Sequence, residues 1–266
     1  MTNGMRYAQY PPSPALAPVV ECYWILEGED CAEPQPIVPD GRMEIVLHFG
    51  DRFERHHADG RVERQDPALL VGQLLAPIRL ACRGRAGVAA IRLRPSAARA
   101  LAGCAAAELT GRAVDLEAVT GSTGTLRERL ALANGDTARV RLLESWLSGR
   151  LRAAPAGEVV AAVDAILAAP GAVTLPAVAA QAGISVRQLE RRFLTDVGMP
   201  PKTFARIARL QRALAWIAAG ASLADAAHAC GYYDQPHMTR DFARLADMSP
   251  AIWSASGAEL TRLFVA

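Results

Sequence analysis

The sequence predicts an α+β protein. A small antiparallel β barrel or sandwich with accompanying helices comes first, then an all-α domain in which two helix-turn-helix units are joined by a long helix. Three observations predict this. Aromatic and branched residues fill the first hundred positions in short runs separated by turn signals. After Pro95 the texture becomes alanine- and leucine-rich with helical periodicity. Within residues 174–253 the chain repeats itself.

The strands come first. Val20–Glu27 is aromatic and branched, and Arg42–Phe49 is apolar enough to lie inside a sheet. Asp59-Gly60, between Phe53-Glu-Arg-His and Arg61-Val-Glu-Arg, reads as a hairpin turn. Ile78–Cys82 and Val88–Leu93 read as two further strands, separated by the glycine-bearing segment 83–87. Many short strands with turns between them suit a small antiparallel barrel or sandwich. Helices are then expected over Ser96–Cys104, Leu126–Leu132 and Thr137–Leu151, the last with Val140, Leu143, Leu147 and Leu151 at helical spacing. Arg152-Ala-Ala-Pro-Ala-Gly157 reads as a linker, which divides the chain into 1–155 and 156–266. Glu158–Ala169 opens the second part as a helix, stopped by Pro170-Gly171.

The bulk numbers narrow the function classes. With 51% hydrophobic residues a real core forms. A net charge of only +2 gives no strong global field, so affinity for nucleic acid has to come from local patches. Only Lys202 among the 29 basic residues is a lysine, as a GC-rich genome would give. Five scattered cysteines, an odd number with no CxxC, fit reduced cytosolic thiols better than a disulfide framework or a zinc finger. No signal peptide or membrane span is read from the chain, so the expected location is the cytoplasm.

The repeat is the strongest signal. Leu175–Gly183 and Leu223–Gly231 are short alanine-rich helices that stop at a glycine, offset by 48 residues. A new helix then starts in each copy, with Ser185 and Asp234 as N-caps. One extra turn residue makes the offset 49. Leu189 then matches Met238, Arg191 matches Arg240, Phe193 matches Phe242, Gly198-Met-Pro-Pro201 matches Asp247-Met-Ser-Pro250, and Phe204 matches Trp253. Helix, tight turn and second helix make the helix-turn-helix unit. Between the copies Pro201–Ala219 reads as one helix. Phe204, Ile207, Leu210, Leu214 and Ile217 form its apolar face, and Lys202, Arg206, Arg209 and Arg212 lie opposite. About 18 residues span roughly 27 Å, and successive major-groove segments on one DNA face lie about 34 Å apart. With the width of each unit added, one chain can place two helices in adjacent grooves.

These residues carry a resemblance. Ala179, Gly183, Ser185, Leu189, Phe193, Gly198, Pro201, Arg209-Leu210, Gly231-Tyr-Tyr-Asp-Gln-Pro-His-Met-Thr-Arg-Asp-Phe242 and Ser249-Pro250 make residues 174–253 similar to the DNA-binding domain of the AraC family of bacterial transcription regulators. Met238 and Tyr232 depart from the usual pattern by apolar-for-apolar exchange. On the first recognition helix Arg187, Glu190, Arg191 and Gln188 point away from the Leu189/Phe193 stripe. On the second Gln235, His237 and Arg240 point away from Met238 and Phe242. By resemblance Arg187, Glu190, Arg191, Gln235, Pro236, His237 and Arg240 occupy base-reading positions. The chemistry agrees: Arg pairs with guanine, Gln with adenine and Glu with cytosine. Ser185, Arg192, Lys202, Arg206 and Arg244 are candidates for phosphate contacts. Segment 171–253 holds nine basic and six acidic residues, a net of +3, so only a handful of phosphates is expected to be neutralised.

The N-terminal half is less explicit. Glu44, Val46 and His48 share one strand face. If that face lines a barrel, Glu44 and His48 are candidate ligand contacts, although a satisfied core pair reads equally well. His56-His57 lacks a third ligand at metal spacing, so neither a metal nor another cofactor is expected. Segments 39–50, 91–95 and 108–116 resemble a sensor-like N-terminal domain of some AraC-type regulators. In the wider family that half often holds a small-molecule pocket in a cupin-like barrel and a dimerising helix. The resemblance thus implies double-stranded DNA as partner, with a small-molecule effector, a homodimer and RNA polymerase if the protein activates; the helix at 137–151 is the dimer candidate, and packing of its apolar stripe on the barrel is the other reading of it. No nucleophile–base pair or metal triad is visible, so no enzyme activity is expected. The competing reading is an enzyme or a metal-binding cupin-like domain fused to a DNA-binding tail.

Overall fold

A computed structural model describes residues 5–169 and 173–255; the Pro170-Gly171 helix stop lies outside the described residues. An antiparallel sheet domain is followed by a helical domain. The strands are β1 (Arg6–Tyr10), β2 (Val20–Ile37), β3 (Glu44–His48), β4 (Glu54–His56), β5 (Val62–Arg64), β6 (Ala68–Val71), β7 (Ile78–Leu93) and β8 (Ala113–Asp115). Their main path runs β1-β2-β7-β3-β6-β8, with β4 paired to β5 and β7. All these pairings are antiparallel. The β4–β5 hairpin turns at Gly60, as its Asp-Gly signal predicts.

The expected break at 83–87 does not occur. β7 runs through it as one strand of 16 residues. β2, at 18 residues, continues opposite, so Gly28 still faces Ala86 and Glu29 faces Arg85. A side-chain bond adds to this: Asp51 Oδ2 accepts from Arg85 N at 2.9 Å. A paired neighbour supplies the ladder bonds that two glycines weaken but do not remove.

Alternation along the strands builds two cores. Tyr23, Ile25, Ile45, Leu47, Ala89 and Ile91 face the helices on one side. Cys22, Trp24, Leu26, Val46, Val88 and Ala90 face the other. The helices of this part are α1 (Ala98–Ala102), α2 (Leu116–Thr120), α3 (Leu126–Leu132) and α4 (Asp136–Ser148). α1 is shorter than expected, because Pro95–Ala97 forms a 3-10 turn before it and the left-handed Gly103 ends it. On α4, Leu143, Trp146 and Leu147 are buried against the sheet. Of the two readings of this apolar stripe, a dimer contact or packing on the sheet domain, these residues follow the second.

The helical domain holds α5 (Gly157–Ala168), α6 (Leu175–Gln181), α7 (Val186–Arg192), α8 (Pro201–Ala218), α9 (Leu223–Ala229), α10 (Gln235–Ala246) and α11 (Pro250–Ala255). Phe193, Phe204, Ile207, Leu210, Leu214, Met238, Phe242 and Trp253 form its core. Val38, from the sheet domain, lies in the same core.

Candidate nucleic-acid interface

Each unit is a short helix, a glycine turn and a second helix with an exposed face. α6 and α9 end at Gly183 and Gly231, both left-handed at φ 69° and 70°. The following helices start at the expected caps. Ser185 Oγ accepts from Gln188 N at 3.2 Å, while Gln188 Oε1 accepts from Ser185 N at 2.9 Å. Asp234 Oδ1 accepts from His237 N at 2.7 Å. These side chains satisfy the free amides of the first turn. The cap occupies one lone pair of the Gln188 carbonyl and leaves its amide N–H₂ free of the cap.

Leu189 and Phe193 anchor the first recognition helix; Met238 and Phe242 anchor the second. Outward from these anchors, Arg187, Gln188, Glu190 and Arg191 on α7 are exposed, as are Gln235, Pro236 and Arg240 on α10. His237 is half-buried, its ring edge-on to Tyr232 at 5.3 Å. Tyr233, which the sequence reading passed over, is 93% exposed immediately before the second recognition helix. Its place beside a cap aspartate was the available signal.

The expected phosphate contacts divide. Lys202 and Arg244 are exposed. Arg192 is ion-paired with Glu158. Arg206 does not lie on a solvated face: its Nη2 meets Asp241 Oδ1 at 2.6 Å, and Arg209 Nη2 meets Oδ2 at 2.9 Å. Asp241 is buried on α10, and the Arg209 guanidinium also lies 4.3 Å over the Tyr232 ring. The two arginines of α8 thus hold the second recognition helix, because α10 covers the middle of the face opposite the Phe204 stripe, while Lys202 and Arg212 stay exposed at its ends.

After Arg192 the first recognition helix widens into a π turn, Phe193–Val197, before the left-handed Gly198. The sheet domain grips this end. Gln73 Nε2 donates to Val197 O, Thr110 Oγ1 donates to Gly198 O at 2.6 Å, and Arg99 lies 3.6 Å from Asp196. The linker helix is gripped as well: Gln211 Nε2 on α8 donates to Pro39 O at 2.7 Å. A side chain at Gly41 would stand 2.9 Å from the Phe204 ring.

Both gripping segments border a cavity of about 100 Å³ in the sheet domain. Trp24, Leu26, Val46, Phe53, Leu80 and Val88 make its apolar wall. At the polar end Glu44 Oε1 accepts from Arg92 Nε at 2.8 Å and from Trp24 Nε1 at 3.0 Å, and Asp40 lies 3.5 Å from Arg92. Burial raises the pKa of the Glu44 carboxyl against the pull of the Arg92 charge. Burial opposes the Arg92 cation, but Glu44 and Asp40 outweigh it and hold its pKa above the ordinary value. His48 is fully buried near Phe53 but does not line the cavity. Burial pushes its pKa down to about 4, so it is neutral near pH 7. The structure thus brings Glu44 to the cavity and leaves His48 beside it. The sequence reading gave no role to Arg92 or Arg42; a lone Arg inside the apolar run 88–93, facing a lone Glu in 44–49, was the signal.

Two helix-turn-helix units on one shared helix, each with an exposed polar second helix, define the class: a DNA-binding transcription regulator. Residues 178–256 match the family model described as a helix-turn-helix domain, and the C-terminal domain is of the AraC type. Residues 8–115 match a domain of unknown function, DUF6597. Among solved structures, ToxT from Vibrio cholerae is similar at 7% identity over 95% of this chain and 98% of that one, with a TM-score of 0.51; the likeness is one of fold. A transcriptional regulator with an AraC-type DNA-binding domain from Chromobacterium violaceum is 26% identical over 37% of this chain and 89% of that one, TM-score 0.35. A DNA-binding transcriptional dual regulator from Escherichia coli K-12 is 22% identical over 41% and 98%, TM-score 0.36. No curated protein matches the chain.

Proposed function

We propose that the protein is a sequence-specific transcription regulator that reads two adjacent major-groove segments and answers to a small molecule in its sheet domain. The observation that carries sequence reading is the unlike chemistry of two equivalent helices. α7 presents Arg187, Gln188, Glu190 and Arg191, whereas α10 presents Gln235, Pro236, His237 and Arg240. Binding to backbone alone would favour Lys and Arg throughout. Lys202 and Arg244, both exposed, are the phosphate candidates that remain unpaired among the described residues. The division near 155/156 is supported by the cores, which take residues up to Leu147 on one side and from Val159 on the other, Val38 excepted.

The response to a small molecule is supported by the cavity and its neighbours. Its volume, about 100 Å³, is below the roughly 150 Å³ of an engineered cavity that admits benzene. A ligand must therefore displace walls. Two of those walls, around Val38–Asp40 and Gly72–Leu74, flank the residues that bond to α8 and to the end of α7. The chemistry suits a small, largely apolar molecule with one hydrogen-bonding end, since Arg92 is already paired. ToxT, of the same fold, has been crystallised with an unsaturated fatty acid. Dimerisation, and RNA polymerase contact in an activator, remain parts of the same proposal.

Selection of bound duplexes from a random pool tests the reading. Two short boxes about one helical turn apart are expected. Arg191→Ala should relax one box and Arg240→Ala the other, each by about 1–3 kcal/mol of discrimination. A single enriched box, or none, would falsify it.

A further inference from the structure

An open groove of about 670 Å³ runs along the seam between the two domains. Arg99, Gly103 and Arg152 bound it on the sheet side; Arg191, Arg192 and Asp196 bound it on the helical side. We propose that this groove seats the DNA backbone, so that Arg152 and Arg99 extend the footprint of the first unit onto the sheet domain. The inference rests on the DNA-binding reading above and adds a contact outside the helix-turn-helix units.

Position argues for it first. A helix in a major groove about 12 Å wide has a sugar–phosphate strand at either flank. The last turn of α7, with Arg191, forms one wall of the groove, so the strand beyond that turn meets residues 191–196 and whatever faces them. Charge argues second. Of the nine basic residues in 171–253, Arg192 is paired with Glu158, and Arg206 and Arg209 are paired with Asp241. Beside the groove the helical domain therefore offers Arg191 as its unpaired cation, Arg192 being held by Glu158. Across the groove, Arg99 shares Asp196 at a loose 3.6 Å, and Arg152 and Arg191 have no carboxylate partner among the described residues. Like charges facing one another across a groove disfavour each other until an anion lies between them.

Placement argues third. The Arg152 backbone is fixed by its N–H donating to Ala100 O at 2.9 Å, and its exposed guanidinium lies over Gly103, which carries no side chain to cover it. The planar fork is thus open to a phosphodiester, which it can meet with two N–H groups at once.

The test measures affinity against salt for the full chain on its selected operator. One duplex ends at the edge of the α7 box, and a second runs on past it. On the longer duplex Arg152→Ala and Arg99→Ala are each expected to reduce the slope of log K against log salt by about 0.9. Arg152→Lys is expected to keep it, and the preferred sequence should not change. On the shorter duplex the variants should match the parent. Unchanged slopes for Arg152→Ala and Arg152→Glu on the longer duplex, with tight binding retained, overturn the proposal while leaving the two-box reading intact. Failure of the parent to bind any duplex overturns both. Titration with inorganic phosphate gives the remaining arm: saturable binding lost in Arg152→Ala, with DNA affinity untouched, marks a free-anion site and also overturns the proposal.

Discussion

In the first helix-turn-helix unit the turn after the recognition helix is made by Gly198 at φ 96°; in the second it is made by Asp247 at φ 54°, the one non-glycine with positive φ among the described residues. The same left-handed turn at equivalent positions shows how closely the repeat is kept in the backbone. The difference lies in what surrounds it. A side chain at Gly198 would meet Thr110 Oγ1 at 2.6 Å and Gln73 Oε1 at 2.7 Å, both from the sheet domain. Asp247 is exposed. The first unit is tied to the sheet domain through its end, and the second is tied to the shared helix through the Asp241 pairs. Two near-copies are thus anchored differently: one on the sheet domain, the other on the helix between them.

The largest test of that contrast is Asp241→Ala. It leaves Arg206 and the mostly buried Arg209 without their carboxylate. Removing one partner of a buried pair costs about 3–5 kcal/mol, and the partial exposure of Arg206 argues for the lower end. The urea midpoint should fall, and amide protection should drop in α10 more than in α7. Equal loss in both helices would break the contrast. Next comes the paired exchange Gly198→Ala and Asp247→Gly. An L-residue in the left-handed region costs about 1–2 kcal/mol, and the clash with Thr110 adds to it, so Gly198→Ala should lower the melting temperature clearly. Asp247→Gly should shift stability by less than about 1 kcal/mol. Similar shifts would mean that the sheet domain does not hold the first turn. Smallest is Thr110→Val, which deletes the hydrogen bond to Gly198 O at 2.6 Å. A loss of about 0.5–1.5 kcal/mol is expected, with faster hydrogen exchange near Val197–Met199 and none near Ala246–Met248.

Much of the helical domain was legible in the sequence, because its signals are local. The Ser185 and Asp234 caps and the Gly183 and Gly231 stops act over three or four residues and need no distant partner. What was missed is non-local. The face of α8 bearing Arg206 and Arg209 looks solvated until α10 is placed on it. Glu44 could be assigned to a strand face by alternation, yet its partner Arg92 is 48 positions away in sequence. The glycines in 83–87 read as a break, because only the paired β2 shows why the strand continues. Nothing in Phe193-Leu-Thr-Asp-Val197 announces a π turn. It forms where the end of a regular helix meets the grip of another domain.

Val38 lines the cavity and is also part of the helical domain's core, at 6% exposure. A side chain that walls the cavity of one domain and packs in the core of the other cannot leave its place without disturbing both. The two domains therefore share part of their unfolding free energy, and the chain should melt more as one cooperative body than as two beads on a tether. Whatever fills the cavity then acts as a thermodynamic load on the whole molecule, and its binding energy raises the stability of the DNA-reading half without touching it.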